Sequence, residues 1–199
     1  MKFVCLIILG FIPANFASLP VDRSTTFETA LQHFSNFGAS VAFMLGIENY
    51  SNQYLRDPQY LSNTGGVYDN PVSVAPAMGE YMTGHKRGWT FRGVSGIVSW
   101  NIGNTEKMVV VMYYKPWSNV LHSNRLALGI FPRADLTTTL YNKMYSGEEE
   151  GFKRETSDTE GWNRPLRYRD DPDYMLWGVM AEADQGHINV RKLVASTRI

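Results

Sequence analysis

The chain has 199 residues, 44% apolar and 19% charged, which is enough for one domain with its own hydrophobic core. Basic and acidic side chains number 19 each, so the formal net charge is 0, which excludes a general nucleic-acid binder that needs a basic face. Aromatics reach 13%, with 11 Tyr and 5 Trp, an excess that suits surfaces meeting sugars, lipids or proteins.

Lys2 precedes an apolar run over residues 3–12 (FVCLIILGFI), followed by Pro13 and the small residues of ANFAS. The pattern is that of a secretory signal cut after Ala17, and the run is too short to span a bilayer. The expected organisation is a signal at 1–17 and one domain over 18–199, with the protein secreted. The single cysteine, Cys5, lies inside the signal, so the mature chain has no disulfide and depends on core packing.

Residues 25–37 are predicted to form an amphipathic helix. Thr25-x-x-Glu28 is a capping box. Phe27, Leu31 and Phe34 follow helical spacing, with Ala30 and Phe37 beside them, and Gly38 is a natural stop. Strand texture follows at 40–47, 67–75, 79–83, 93–102, 107–114 and 125–131, punctuated by turn residues at 84–88 (GHKRG) and 103–106 (GNTE). Helical spacing returns at 133–145, with Asp135 as N-cap, Leu136, Leu140 and Met144 in one stripe, and Tyr141 and Tyr145 four apart on the next. Residues 148–160 read as a solvated acidic loop, and 175–183 with 187–195 as a closing hairpin. The expected fold class is mainly β, an antiparallel β-sandwich flanked by two short α-helices.

No catalytic motif is present: there is no phosphate loop, no cysteine-based metal spacing, and His33, His85, His122 and His187 form no zinc-binding pair. The acidic stretch 169–173 reads as a solvated turn rather than a calcium loop. The expectation is therefore a non-enzyme with no cofactor and no metal. Asn49-Tyr50-Ser51 is a glycosylation sequon. The loop between the strands 107–114 and 125–131 is unusual, because it carries Trp117, two Ser-Asn pairs and His122 where a simple hairpin needs only a short turn.

An ordered set of pieces spans about residues 25–195. An amphipathic helix precedes a strand with GIEN. The stretch GVSGIVSWNIGNT follows, then an apolar strand running into Pro116, a loop closing on Ser123-Asn124, and RAD with LYNKMY. Glu160-Gly161-Trp162 comes next, before the closing hairpin. In this order the chain resembles the actinoporins, pore-forming cytolysins of sea anemones, and their relatives in other animals. The resemblance implies a β-sandwich with two flanking helices. It also implies a membrane-facing surface made by the 115–124 loop and the second helix, and a phosphocholine site there.

Carried over by position, Pro116, Tyr141 and Tyr145 match headgroup residues of the family. His122 stands where the family has a tyrosine, Tyr114 and Asn63 where it has serines, and Ser95 where it has a valine. Ser146 replaces a second tyrosine of the helix. Leu121 and Arg125-Leu126 replace loop tryptophans, Trp117 lies just after the proline, and the loop is one residue shorter.

The physics of such a site is direct. Aromatic faces hold a quaternary ammonium, which has no hydrogen to donate, and hydroxyl and amide donors hold the phosphate. Trp117 and Leu121 are expected to touch the membrane. Phe27, Ala30, Leu31, Phe34 and Phe37 would line a pore helix that inserts after several copies assemble as a homo-oligomer. The alternative is a non-lytic secreted lectin-like module that binds lipid or carbohydrate.

Overall fold

The computed structural model describes residues 3–13, 22–23, 41–88, 92–118, 123–147, 152–156, 166–168 and 173–184. These form two β-sheets. The first contains β1 (Phe3–Pro13), β2 (Asp22–Arg23), β3 (Val41–Asn49), β5 (Gly66–Asp69), β6 (Met78–His85), β11 (Leu166–Tyr168) and β12 (Tyr174–Asp184). The second runs β10-β9-β8-β7-β4, with β4 (Leu55–Thr64), β7 (Val94–Ile102), β8 (Lys107–Lys115), β9 (Arg125–Pro132) and β10 (Phe152–Thr156). Every pairing in the second sheet is antiparallel. In the first, β1–β3 and β2–β6 are parallel. The mainly β sandwich expected from the sequence is what forms.

Two apolar layers explain the architecture. Phe43, Leu45 and Ile47 of β3 meet Val98, Trp100 and Ile102 of β7 and Val109, Val111 and Tyr113 of β8 between the sheets. The alternate residues Ile97, Met108, Val110 and Met112 face outward and are covered by Tyr141 and Met144 of α1 (Thr138–Ser146). That double coverage is why β8 reads as a nearly continuous apolar run and why β7 is buried along its whole length. The core contains a stacked pair, Phe43 on Tyr113, with ring centroids 4.2 Å apart.

Several local expectations need correction. The helix begins two residues later than the expected Asp135 cap implies. Thr137, not Asp135, is the N-cap: its hydroxyl accepts from the Leu140 amide at 3.1 Å, satisfying an otherwise orphaned donor. Gly147 closes the helix in the left-handed conformation, its N–H donating to the Lys143 carbonyl. β4 carries no apolar signal because it is an edge strand. Pro58 lies in it, where Asp57 takes a positive φ of 49° and the register slips between Arg56 and Gln59. β10 interrupts the expected acidic loop as the other edge, with the charged pattern that edges tolerate. Residues 67–75 make only β5 and an isolated bridge at Val74.

The sequon is not a free acceptor. Asn49 is fully buried, and its side-chain amide donates to the carbonyls of Gln53, Val74 and Ala75 at 2.7, 3.2 and 3.2 Å. Its Oδ1 accepts from the Ser51 hydroxyl at 2.7 Å. The Asn-x-Ser triplet is a staple that fixes the turn after β3.

Phe3–Pro13, the segment that reads as a signal, is a strand between β12 and β3. The expected helix at 25–37, with Phe27, Ala30, Leu31, Phe34 and Phe37, lies outside the described residues, as do Leu121, His122 and the second strand of the closing hairpin.

Candidate functional site

The site stands at one end of the five-stranded sheet, on the face that α1 covers. Register brings its parts together, with Ser95 opposite Tyr114 and Tyr114 opposite Arg125. From the neighbouring edge, β4 supplies Asn63 and Thr64, with Thr64 opposite Ser95. The helix adds Tyr141 and Tyr145, four residues apart and so on one face.

The base of the site is a polar cluster. Ser95 is fully buried; its Oγ accepts from the Asn63 amide at 3.3 Å and shares a 2.9 Å hydrogen bond with Thr64 Oγ1. Tyr141, 3% exposed, reaches the same cluster. Burial raises the Tyr141 phenol above its ordinary value, while hydrogen bonds from Ser95 and Asn63 pull the other way. Thus Tyr141 and Ser95 support the site from beneath.

Above them lies an aromatic shelf. Tyr145 stacks on Tyr141 with centroids 6.0 Å apart and takes the edge of Tyr114 at 5.3 Å. Burial raises Tyr114 as well; Tyr145 and Tyr141 add to the rise and Arg125 opposes it. Both phenols therefore remain protonated, able to donate, across the physiological range. Arg125 lies over the Tyr145 ring, its guanidinium carbon 4.1 Å from the centroid, and donates from Nη1 to the Tyr145 carbonyl at 3.2 Å.

Pro116 is buried against Gly93, where an added Cβ would fall 1.8 Å from the Lys115 carbonyl oxygen. No side chain fits there, so this contact holds the start of β7 against the end of β8. Directly after it, Trp117 is 40% exposed.

Of the residues named from sequence, Asn63, Ser95, Tyr114, Tyr141 and Tyr145 converge, Pro116 is packed behind them, and Trp117 projects at the same end of β8. Two contributors were not anticipated. Thr64 was hidden with the rest of β4, although its neighbour Asn63 pointed to the segment. Arg125 stood out only as the replacement for an aromatic residue, and its place on Tyr145 is a matter of packing. Among the described residues no group of His, Cys, Asp or Glu could hold a metal ion, and no helix is long and apolar enough to cross a membrane.

No protein-family model matches the chain. Three molluscan proteins are similar to it. Echotoxin-2 of Monoplex parthenopeus is 29% identical over 155 residues, covering 69% of this chain and 56% of that protein. Conoporin-Cn1 of Conus consors is 23% identical, covering 84% and 68%. Tereporin-Ca1 of Terebra anilis is 25% identical, covering 81% and 89%. The match thus spans little more than half the length of Echotoxin-2. Among solved structures, the lipid-binding protein Nakanori shares the fold, with a TM-score of 0.55 at 10% identity over 72% of this chain and 67% of that one. The chain is actinoporin-like, as its ordered motifs imply.

Proposed function

We propose that the protein is a secreted, membrane-binding pore-former of the actinoporin-like kind, and that the shelf of Tyr114 and Tyr145, set on Tyr141, is its lipid-headgroup site. The observation that carries this reading is the convergence of three tyrosines over the buried Ser95, which Asn63 and Thr64 hold by hydrogen bonds, beside the exposed Trp117. Rings present apolar and cation-binding faces, and the polar cluster fixes their orientation. The relatives are named as a toxin and as porins, and the fold neighbour as a lipid-binding protein, which supports the same reading. Binding requires no covalent chemistry.

Pore formation by residues 25–37 remains part of this proposal, with the copies assembling in the membrane. Thirteen helical residues reach about 20 Å at about 1.5 Å each, short of the roughly 30 Å hydrocarbon core. Lengthening the helix through 39–45 would dissolve part of β3, which pairs with β6 and packs Phe43 and Leu45 in the core. Exposing two such side chains costs roughly 3–6 kcal/mol, a large part of the 5–15 kcal/mol that holds a typical domain. A locally thinned bilayer is therefore the cheaper route.

Export follows from the N-terminal run. Cleavage after Ala17 removes β1 from between β3 and β12, so mass spectrometry of the secreted chain decides whether that strand stays. The functional test is dye release from vesicles of varied phospholipid composition, alongside binding to a glycan array. Release with saturable lipid binding is expected; glycan binding without release would replace the pore-former by the lectin-like alternative.

A further inference from the structure

We propose that the shelf takes a phosphate headgroup that carries no ammonium, and that Arg125 is the residue that selects it. The inference rests on the reading of the shelf as a headgroup site. It concerns which headgroup the site accepts, and the controlling observation is that the tyrosines already hold a cation belonging to the chain.

The guanidinium of Arg125 lies 4.1 Å from the Tyr145 centroid, well inside the range of a cation–π contact. Tyr145 is also engaged by Tyr141 and by the edge of Tyr114. A choline arriving at this ring must displace the guanidinium or sit beside it, charge against like charge. A phosphate meets the opposite situation. Guanidinium has five N–H donors and no acceptor. One bond from Arg125, from Nη1 to the Tyr145 carbonyl, is made; Nε is shielded from solvent, which leaves the terminal N–H groups of the fork to meet a ligand. A planar donor fork with unused N–H groups matches phosphate oxygens. The phenol of Tyr114, kept protonated, can add a donor from the same side.

The surrounding charge agrees. Of the charged residues in 84–95 and 113–126, Lys86, Arg87, Arg92 and Arg125 are basic and not buried, Lys115 is buried, and the acidic neighbour is Glu155 of β10, opposite Leu126. The two stretches are neighbours in space: Val94 pairs with Lys115, and the Arg87 guanidinium lies against Gly66, the register partner of His85. These bases add to the field of Arg125, which attracts an anionic surface over about 10 Å at moderate salt.

The test separates general charge from the site itself. Full-length secreted protein is titrated with vesicles of phosphatidylcholine alone, or of phosphatidylcholine mixed with equal fractions of phosphatidylglycerol or phosphatidylserine. The last two carry the same net charge, but only phosphatidylserine has an ammonium. Phosphatidylglycerol vesicles should bind at least about tenfold more tightly than phosphatidylserine vesicles, the worth of one charge-assisted hydrogen bond.

Arg125→Lys keeps the charge and loses the fork, and Arg125→Gln loses both. Arg125→Gln should bring the two anionic vesicles to equal affinity and Arg125→Lys should narrow the preference by the loss of the fork, with melting temperatures identifying the variants that fold. If Arg125→Gln does not fold, Arg125→Lys alone carries the comparison. Equal binding of the parent to both anionic vesicles, or tighter binding to phosphatidylcholine, overturns the proposal and leaves the headgroup site standing. Failure to bind any vesicle overturns the headgroup site itself.

Discussion

Replacing Tyr141 by alanine should destabilise the protein strongly, whereas replacing it by phenylalanine should not. The side chain is 3% exposed and packs among Ile97, Met112, Ala127 and Met144 beneath the helix. Truncating a buried aromatic to alanine costs about 3–5 kcal/mol. At about 2–4 °C per kcal/mol for a chain of this size, melting should fall by roughly 8–16 °C for a 4 kcal/mol loss. Phenylalanine keeps the ring and removes only the hydroxyl. Because Ser95 is also bonded to Asn63 and Thr64, few groups lose their last partner, and the loss should be about 1 kcal/mol. Thermal unfolding followed by near-ultraviolet circular dichroism measures both. An alanine variant melting within about 2 °C of the parent, the shift of a loss of no more than about 1 kcal/mol, would show that the helix does not seal this face and that Tyr141 presents its ring to solvent.

Trp117→Ala should behave in the opposite way. With 40% of its surface exposed, the ring offers about 100 Å² to a bilayer if a whole Trp is about 250 Å², or about 2.5 kcal/mol, so vesicle affinity should fall by up to roughly 60-fold; melting should move little, and unchanged affinity in the folded variant removes Trp117 from the membrane surface. Stability should also decline in alkali. Tyr113, Tyr114 and Tyr141 all have raised phenol values in the folded chain, chiefly through burial, so their contribution is complete below the unfolded value near pH ~10 and is lost as pH rises above it. For the deeply buried Tyr113 the slope is about 1.4 kcal/mol per pH unit once the unfolded phenol ionises; urea midpoints that stay flat from pH 9 to about 11 would contradict its burial.

The local periodicities of the chain determined the class of fold. Strands β3 and β6–β9, the second helix with its Tyr141/Tyr145 pair, and the ordered motifs of an actinoporin-like domain were legible because each element must show an apolar face of period near two or near 3.6, or an apolar run where both faces are covered. Edge strands β4 and β10 were not legible: half their polar groups face water, so charge and Pro58 are tolerated and the alternation signal disappears. The site was split in the same way. The resemblance to the actinoporins, carried over by position, singled out Asn63, Ser95, Tyr114, Tyr141 and Tyr145, but which of them face a ligand depends on what covers them, and only packing places Tyr141 and Ser95 beneath the shelf. The fate of the Asn49 sequon was equally non-local, since its amide is consumed by carbonyls at Val74 and Ala75, across a turn and some 25 residues away. Arg125 illustrates the limit best: in sequence it is the residue after a Ser-Asn pair, and only the antiparallel register that sets it opposite Tyr114, with the helix laid across that face, puts its charge on the Tyr145 ring.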